Sequence, residues 1–343
     1  MSSPTEDRLP FEKPIYEMES RLAEMEVHYA QRKDVADPQA SEQIRLVRRQ
    51  LAELKRLVYQ NIEPWDRVKV SRHRNRPQSR DYINLIFDDF VEVHGDRAIG
   101  DDRAIITGFA RLEDQKVMFI GHQKGRTLSE RTACNFGCAH PEGYRKALAK
   151  MKLAAKFGLP IVSFIDTPGA YPGIAAEERG QASVIAENLM AMSMLNTPIV
   201  CVVIGEGGSG GALGIGIGDR VGMMEHSYYS VISPEGCATI LWKTAEKAPL
   251  AAAALKMIAP DLLRMGIIDE VIPEPLGGAH RDHREAANSL KSFLIRSIRE
   301  IDSHPRERLL DLRYQKFRKM GVFEEGLEEV PSTSEAIASA VGS

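Results

Sequence analysis

The sequence has little cysteine: four residues in 343, too few for a disulfide framework, which predicts a reducing compartment. It has no long hydrophobic run. The longest clean apolar stretch is IVCVVI at 199–204, far short of the ~20 residues a membrane-spanning helix needs, so no span is predicted. Neither charge sign is in excess, with 45 Lys+Arg against 48 Asp+Glu and a formal net charge of −3. That balance provides no global positive field to hold nucleic acid or an anionic membrane. The opening MSSPTEDRLP has no basic n-region and no apolar h-region, which argues against a secretory signal. These absences predict a cytoplasmic protein. With 43% hydrophobic and 27% charged residues the chain is of globular, not disordered, type.

Three regions are expected. Residues 1–60 are charged, lack glycine and read as an N-terminal helical arm. Ile15, Met18, Leu22 and Met25 follow helical spacing, as do Ile44, Val47, Leu51, Leu54 and Val58, with Asp37-Pro38 between the two stretches. Such helices need a surface to bury against, either their own domain or a partner. Residues 61–304 read as an α/β domain. Strands are expected at 104–112 and 117–121, a helix at 141–157 opening on Pro141, and a strand at 161–165. A loop, DTPGAYPG, follows at 166–173, then a helix at 175–195 and a strand at 199–204. Strand–helix–strand repeats of this length imply a mostly parallel sheet. Residues 305–343 turn charged again and read as a helical, flexible tail ending in PSTSEAIASAVGS. Between 67 and 80 stand Arg67, Lys69, Arg72, Arg74, Arg76 and Arg80 with no acid between them. Lacking aromatics, and bracketed by Asp66 and Asp81, this stretch reads as a solvated loop or an anchor for an anionic substrate, not as a nucleic-acid patch.

The sharpest local feature is GEGGSGGALGIGIG at 205–218. Gly205-x-Gly207-x-x-Gly210 fits a dinucleotide fingerprint, with Glu225 where a ribose-binding acid would sit. The helix that would follow is too short, however, and Gly214, Gly216 and Gly218 would each cost it about 1 kcal/mol relative to alanine. Asp166-Thr167-Pro168-Gly169 resembles a GTPase loop, but no GxxxxGK[ST] accompanies it. Two readings of Gly210-Gly211 stay open. One is a tight turn. The other is a pair of N–H groups at a short helix start, able to stabilise an oxygen that gains charge in a transition state. Cys134, Cys138 and His140 invite a metal reading, but the spacing is not that of paired zinc ligands and none is expected. Ser233 is a candidate helix cap beside Glu235.

Eight strings lie in one order: HQKGR (122–126), PEGYRKAL (141–148), FIDTPGAYPG (164–173), EERGQ (177–181), VIGEGGSGGAL (203–213), SPEGCA (233–238), ILWK (240–243) and IPEPLGGAHR (272–281). Together they resemble the α subunit family of the carboxyltransferase component of bacterial and plastid acetyl-CoA carboxylase, over about residues 12–320. The resemblance implies a crotonase-type fold of repeated ββα turns forming a spiral, with backbone oxyanion holes in place of catalytic side chains. It implies transfer of a carboxyl group from carboxybiotin, held on the biotin carboxyl carrier protein, to acetyl-CoA. The product is malonyl-CoA for fatty-acid synthesis. The implied assembly is α₂β₂, in which the β subunit carries a zinc ribbon and holds most of the CoA. No metal is expected in this chain, and ATP is used by the partner biotin carboxylase. Gly210 and Gly211 are then the expected biotin-side hole, with Gly207 and Gly208 shaping the loop or serving as the pair instead. Gly169, Ala170, Tyr171, Pro172 and Gly173 are expected to line the biotin pocket. Lys124, Arg126 and Lys146 are candidate contacts to CoA phosphates or the carrier, set against plain surface solvation. Cys138-Ala139-His140, Gly214 and Gly216 depart from the family pattern. A self-sufficient acyl-CoA hydratase or thioesterase of the same fold, and a non-catalytic assembly subunit, are the competing functions.

Overall fold

The computed structural model describes residues 8–31 and 38–321; the end of the expected tail, and the Asp37 break of the arm, lie outside them. The arm is two helices, α1 (Lys13–Gln31) and α2 (Pro38–Gln60). Their apolar faces close on each other around Ile15, Leu51 and Tyr59. The pair docks on the main domain through the buried Glu12 carboxylate. It accepts from the Tyr59 hydroxyl at 2.7 Å and from the Arg281 guanidinium at 2.7 Å.

The domain then runs α3 (Pro64–Ser71), α4 (Ser79–Ile86), β1 (Asp88–Glu92), β2 (Ile105–Leu112), β3 (Gln115–His122), α5 (Leu128–Ala133) and α6 (Pro141–Phe157). Next come β4 (Ile161–Thr167), α7 (Ile174–Glu178), α8 (Gln181–Met194), β5 (Ile199–Gly208), α9 (Ser209–Leu213), β6 (Arg220–Met224) and β7 (Tyr228–Ser230). The chain closes with α10 (Pro234–Trp242), α11 (Ala248–Ala254), α12 (Ala259–Arg264), β8 (Glu270–Ile272), α13 (His283–Asp302) and α14 (Arg306–Arg318). One sheet carries the fold in the order β1-β2-β3-β4-β5-β6-β8, with β7 also paired to β5. The first two pairings are antiparallel and the rest parallel, as the strand–helix alternation requires. Each face of the sheet has its own core. Phe87, Phe119 and Phe164 pack with α13 on one, and α6 and α8 cover the other. α6 starts on Pro141 and stops where Gly158 takes a left-handed φ of 65°, the asymmetry that proline at the start and glycine past the end provide. Among the described residues no helix is long and apolar enough to cross a membrane.

Four expectations need correction. The helix expected at 175–195 is two, because Gly180 takes a φ of 80° and turns the chain between α7 and α8. The strand expected to stop at 204 runs on to Gly208. The basic stretch 67–80 is no solvated loop. Arg67 and Arg76 are interior; Arg76 donates to the Ile204 carbonyl at 2.8 Å and pairs with Glu274 at 2.5 Å. Finally, the chain beyond 305 begins as a docked helix. Arg313 of α14 is 1% exposed and pairs with Asp219 at 2.8 Å. It also donates to the carbonyls of Met192, Leu195 and Thr197.

Candidate active site

The ends of two neighbouring parallel strands, β4 and β5, build the site. Their register places Thr167 opposite Gly207. Gly207 is paired on its other side with Tyr229 of β7, and Gly208 with Ser230. Gly207 and Gly208 are therefore sheet residues at the entry to the loop. Glycine is needed at 208 because a Cβ would strike the Pro168 backbone. The chain turns at Ser209, which holds a left-handed φ of 52° without being glycine, a strained corner of the kind that clusters at functional sites. The short α9 follows at once. Its first N–H groups, Gly210 and Gly211 among them, have no partner within the helix.

The loop after β4 lies directly across from α9. A Cβ on Gly211 would collide with the Gly169–Ala170 backbone, whereas one on Gly210 would meet nothing closer than the Ile185 side chain at 3.9 Å. The loop is tied down at several points. The Thr167 hydroxyl donates to the Gly137 carbonyl at 2.7 Å and accepts from the Gly169 N–H at 3.1 Å. The Tyr171 N–H donates to the Ala139 carbonyl at 3.0 Å, and the Tyr171 ring stacks on His140 at 4.0 Å. Between these anchored amides, the Ala170 N–H has no hydrogen-bond partner among the described residues. Pro172 continues the loop, exposed, and Gly173 caps α7.

Ser209 and Gly210 also border an apolar cavity of about 780 Å³. Leu189, Leu213, Tyr229 and Leu262 line it, and Phe317 and Met320, at and just after the last turn of α14, close one side. The surrounding helices and turns expose Met190, Met194, Val231 and Met265, with Ile174, Ile240 and Leu241 exposed nearby in sequence.

Behind the two strand ends lies a buried ionic cluster that sequence reasoning missed. Lys124 Nζ sits 2.6 Å from Asp166 Oδ1 and 2.5 Å from Glu206 Oε2. The other Glu206 oxygen accepts from Arg72 Nε at 2.6 Å and from the Tyr228 hydroxyl at 2.7 Å. Arg72 also pairs with Glu235. Lys124 is thus not a solvated cation; it ties the end of β4 to the end of β5. Burial alone would raise the Glu206 carboxyl, but Lys124 and Arg72 outweigh it and hold the group at about 2. Glu274 is held at about 2 in the same way, burial being outweighed by Arg76 and His226. Both folded values lie below the ordinary 4.5, so the stability these carboxylates contribute is present above that pH and lost as pH falls toward 2. The urea midpoint should therefore fall first below about pH 6.5, where the unfolded chain protonates His122, His226 and His280 that burial keeps neutral in the fold, and fall further between about 4.5 and 2 as these carboxylates lose their charge. Glu206→Gln should lower it at neutral pH and shallow that acid slope; an unchanged slope would remove Glu206 from the cause.

The remaining sequence candidates separate. Lys146 is 1% exposed, with its amine committed to Asp101 at 2.5 Å and the Asp102 carbonyl at 2.7 Å, so it is interior and not a surface contact. Arg126 is partly exposed and pairs with Asp81 at 2.6 Å. Ser233 caps α10 by accepting from the Gly236 N–H at 3.1 Å. Burial pushes the Cys134 thiol up to about 11 and raises Cys138 as well. Among the described residues no three His, Cys, Asp or Glu side chains are grouped to hold a metal ion.

Comparison with known proteins agrees with this geometry. The fold overlays on transcarboxylase 12S with methylmalonyl-coenzyme A bound, at a TM-score of 0.51 and 23% identity, over 64% of this chain and 42% of that one. It overlays on the geranyl-CoA carboxylase beta subunit of P. aeruginosa at 0.52 and 15% identity, over 78% of this chain and 48% of that one. The molecule shares the mixed α/β fold of these proteins: a central sheet whose strand ends carry a glycine-rich segment beside an apolar cleft. Residues 8–321 match the family model described as acetyl co-enzyme A carboxylase carboxyltransferase-like. The chain is 58% identical to the acetyl-coenzyme A carboxylase carboxyl transferase subunit alpha of Rhodopirellula baltica, over 92% of this chain and 97% of that protein. Against the same subunit of Methylococcus capsulatus it is 53% identical, over 92% and 98%. The chain belongs to the family of acetyl-CoA carboxylase carboxyltransferase α subunits.

Proposed function

We propose that this chain is the biotin-side half of a cytoplasmic carboxyltransferase. With a β subunit, in an α₂β₂ assembly, it takes the carboxyl group from carboxybiotin on the biotin carboxyl carrier protein and passes it to acetyl-CoA, giving malonyl-CoA. One observation carries the reading: Gly210 of α9 opens on the apolar cavity, and the unpartnered amide of Ala170 lies against the next residue, Gly211.

These residues fit biotin. An apolar cavity suits its aliphatic chain and fused rings, and backbone N–H groups suit its ureido oxygen. Bound there, carboxybiotin supplies the carboxyl group. The protein's part is electrostatic. The Gly210, Gly211 and Ala170 N–H groups donate to an oxygen that gains negative charge, each donor being worth a few kcal/mol in a site without water. Leu189, Leu213 and Leu262 exclude that water. The anchored 166–173 loop and the Lys124–Asp166–Glu206 cluster fix the donors before substrate arrives, so little ordering cost remains. No side-chain nucleophile is required. Exposed Met190, Met194, Val231 and Met265 around the cleft suit a partner subunit that completes it. The chemistry would be half-built in this chain, with the acyl-CoA side on the β subunit.

The test is the reverse reaction, malonyl-CoA with a biotin derivative, followed by acetyl-CoA release. The chain alone is expected to be inactive and the chain with its β subunit active. Turnover by the isolated chain would favour the self-sufficient acyl-CoA enzyme. An inactive but intact complex would favour the assembly role.

A further inference from the structure

On the far side of the Lys124–Asp166–Glu206 cluster from the apolar cleft lies a second cavity, of about 520 Å³ and polar. Six cationic side chains border it, among them Arg74, Arg126 and Arg131, against two carboxylates, Asp166 and Glu206. Those two are already committed to Lys124 and Arg72. Asp81, Glu235 and Glu274 answer Arg126, Arg72 and Arg76 as well, so six cations face five carboxylates and the balance is positive by one, in a concave site where low-dielectric walls concentrate the field.

The aromatic in the same wall is an independent sign. Phe136 is 44% exposed although it is apolar. It also holds a left-handed φ of 55°, between Asn135 at 47° and Gly137 at 87°. A bulky residue at positive φ is an outlier that the surrounding structure must enforce. Here the enforced turn presents the ring to the cavity, with the Arg131 guanidinium 5.0 Å from its centroid. A planar cation beside an exposed ring is an arrangement that stacks a flat heterocycle, and arginines around it pair with phosphate.

We propose that this cavity binds a phosphorylated nucleotide, its base against Phe136 and Arg131 and its phosphates toward Arg126 and Arg74. The site goes beyond the carboxyltransferase reading and does not rest on it, since binding is measured without turnover. Two sources supply this chemistry: a free nucleotide, and the nucleotide end of coenzyme A. The cavity shares Pro168 and Asp166 with the strand end that carries the cleft loop, so occupancy is set to reach the cleft.

The experiment is calorimetric titration of the full chain with ADP, adenosine and inorganic phosphate. ADP is expected to bind saturably and to weaken as salt rises, with phosphate and adenosine each binding more weakly. Arg131→Ala and Phe136→Gly are each expected to weaken ADP at least tenfold. Phe136→Gly relieves the positive φ, so it should fold normally, and a wild-type melting temperature checks that. CoA that displaces ADP assigns the site to the nucleotide end of coenzyme A; ADP retained beside saturating CoA assigns it to a free nucleotide. Absence of saturable ADP binding, or equal binding by wild type and both folded variants, would overturn the proposal.

Discussion

Gly210→Val is expected to fold like the wild type, bind its β subunit, and lose about a hundredfold or more of the reverse carboxyl-transfer rate. The contrast with its neighbour gives this prediction its force. A Cβ at 211 meets the Gly169–Ala170 backbone, so any substitution there disturbs the loop and cannot separate folding from chemistry. At 210 the nearest protein atom to a Cβ is 3.9 Å away, and the position borders the cleft. The valine methyls would then occupy space that the substrate needs, while the five-residue helix loses nothing in propensity, since valine ranks above glycine. The readouts are the melting temperature, co-elution with the β subunit, and acetyl-CoA release. Retained activity in a folded complex would show that no substrate atom comes close to the Gly210 backbone. Loss of folding as well as activity would mean that the open space at 210 is structurally used.

Arg313→Met is expected to produce the largest loss of stability, about 3–5 kcal/mol. Arg313 is 1% exposed and its guanidinium serves Asp219 and three backbone carbonyls. Methionine fills much of the volume but takes the guanidinium donor from all four acceptors. Asp219 would keep the Ile199 N–H, at 2.7 Å, but lose its cation. The effect should also reach the cleft. α14 is held by Arg313 and by Lys316, whose amine lies 2.5 Å from Asp269, and the helix end leads into Phe317 and Met320 on the cavity wall. A lower urea midpoint and a raised KM for the biotin derivative are the expected pair of changes. A melting temperature within a degree or so of wild type would show that α14 contributes little to the fold.

What the sequence made legible was local. Pro141 and Gly158 bracket α6 because one fits the first turn of a helix and the other supplies the left-handed residue after its end. The apolar run beginning at Ile161 is β4, a strand buried on both faces. The two pieces of the cleft could be read as neighbours because strand–helix–strand units set their end loops side by side. The amide of Ala170 could not be singled out, since only the folded loop shows that Gly169 and Tyr171 on either side are engaged. Lys124 and Lys146 look alike in sequence, each beside small or polar neighbours. They are buried by acids far along the chain, Glu206 for one and Asp101 for the other. The signal that was available lay in the acids: Asp166 closes an apolar strand and Glu206 interrupts a glycine run, positions where a carboxylate survives burial only with a cation against it. The break at Gly180 was hidden because the apolar spacing continues across it.

The exposed Met190, Met194, Val231 and Met265 have a consequence for the cell as well as for catalysis. A copy made without its partner carries that greasy rim uncovered, and such rims drive self-association. In a multisubunit carboxylase, production of this subunit is therefore under pressure to stay matched to that of the others. Overexpression of this chain alone should yield aggregates that co-expression of the β subunit prevents.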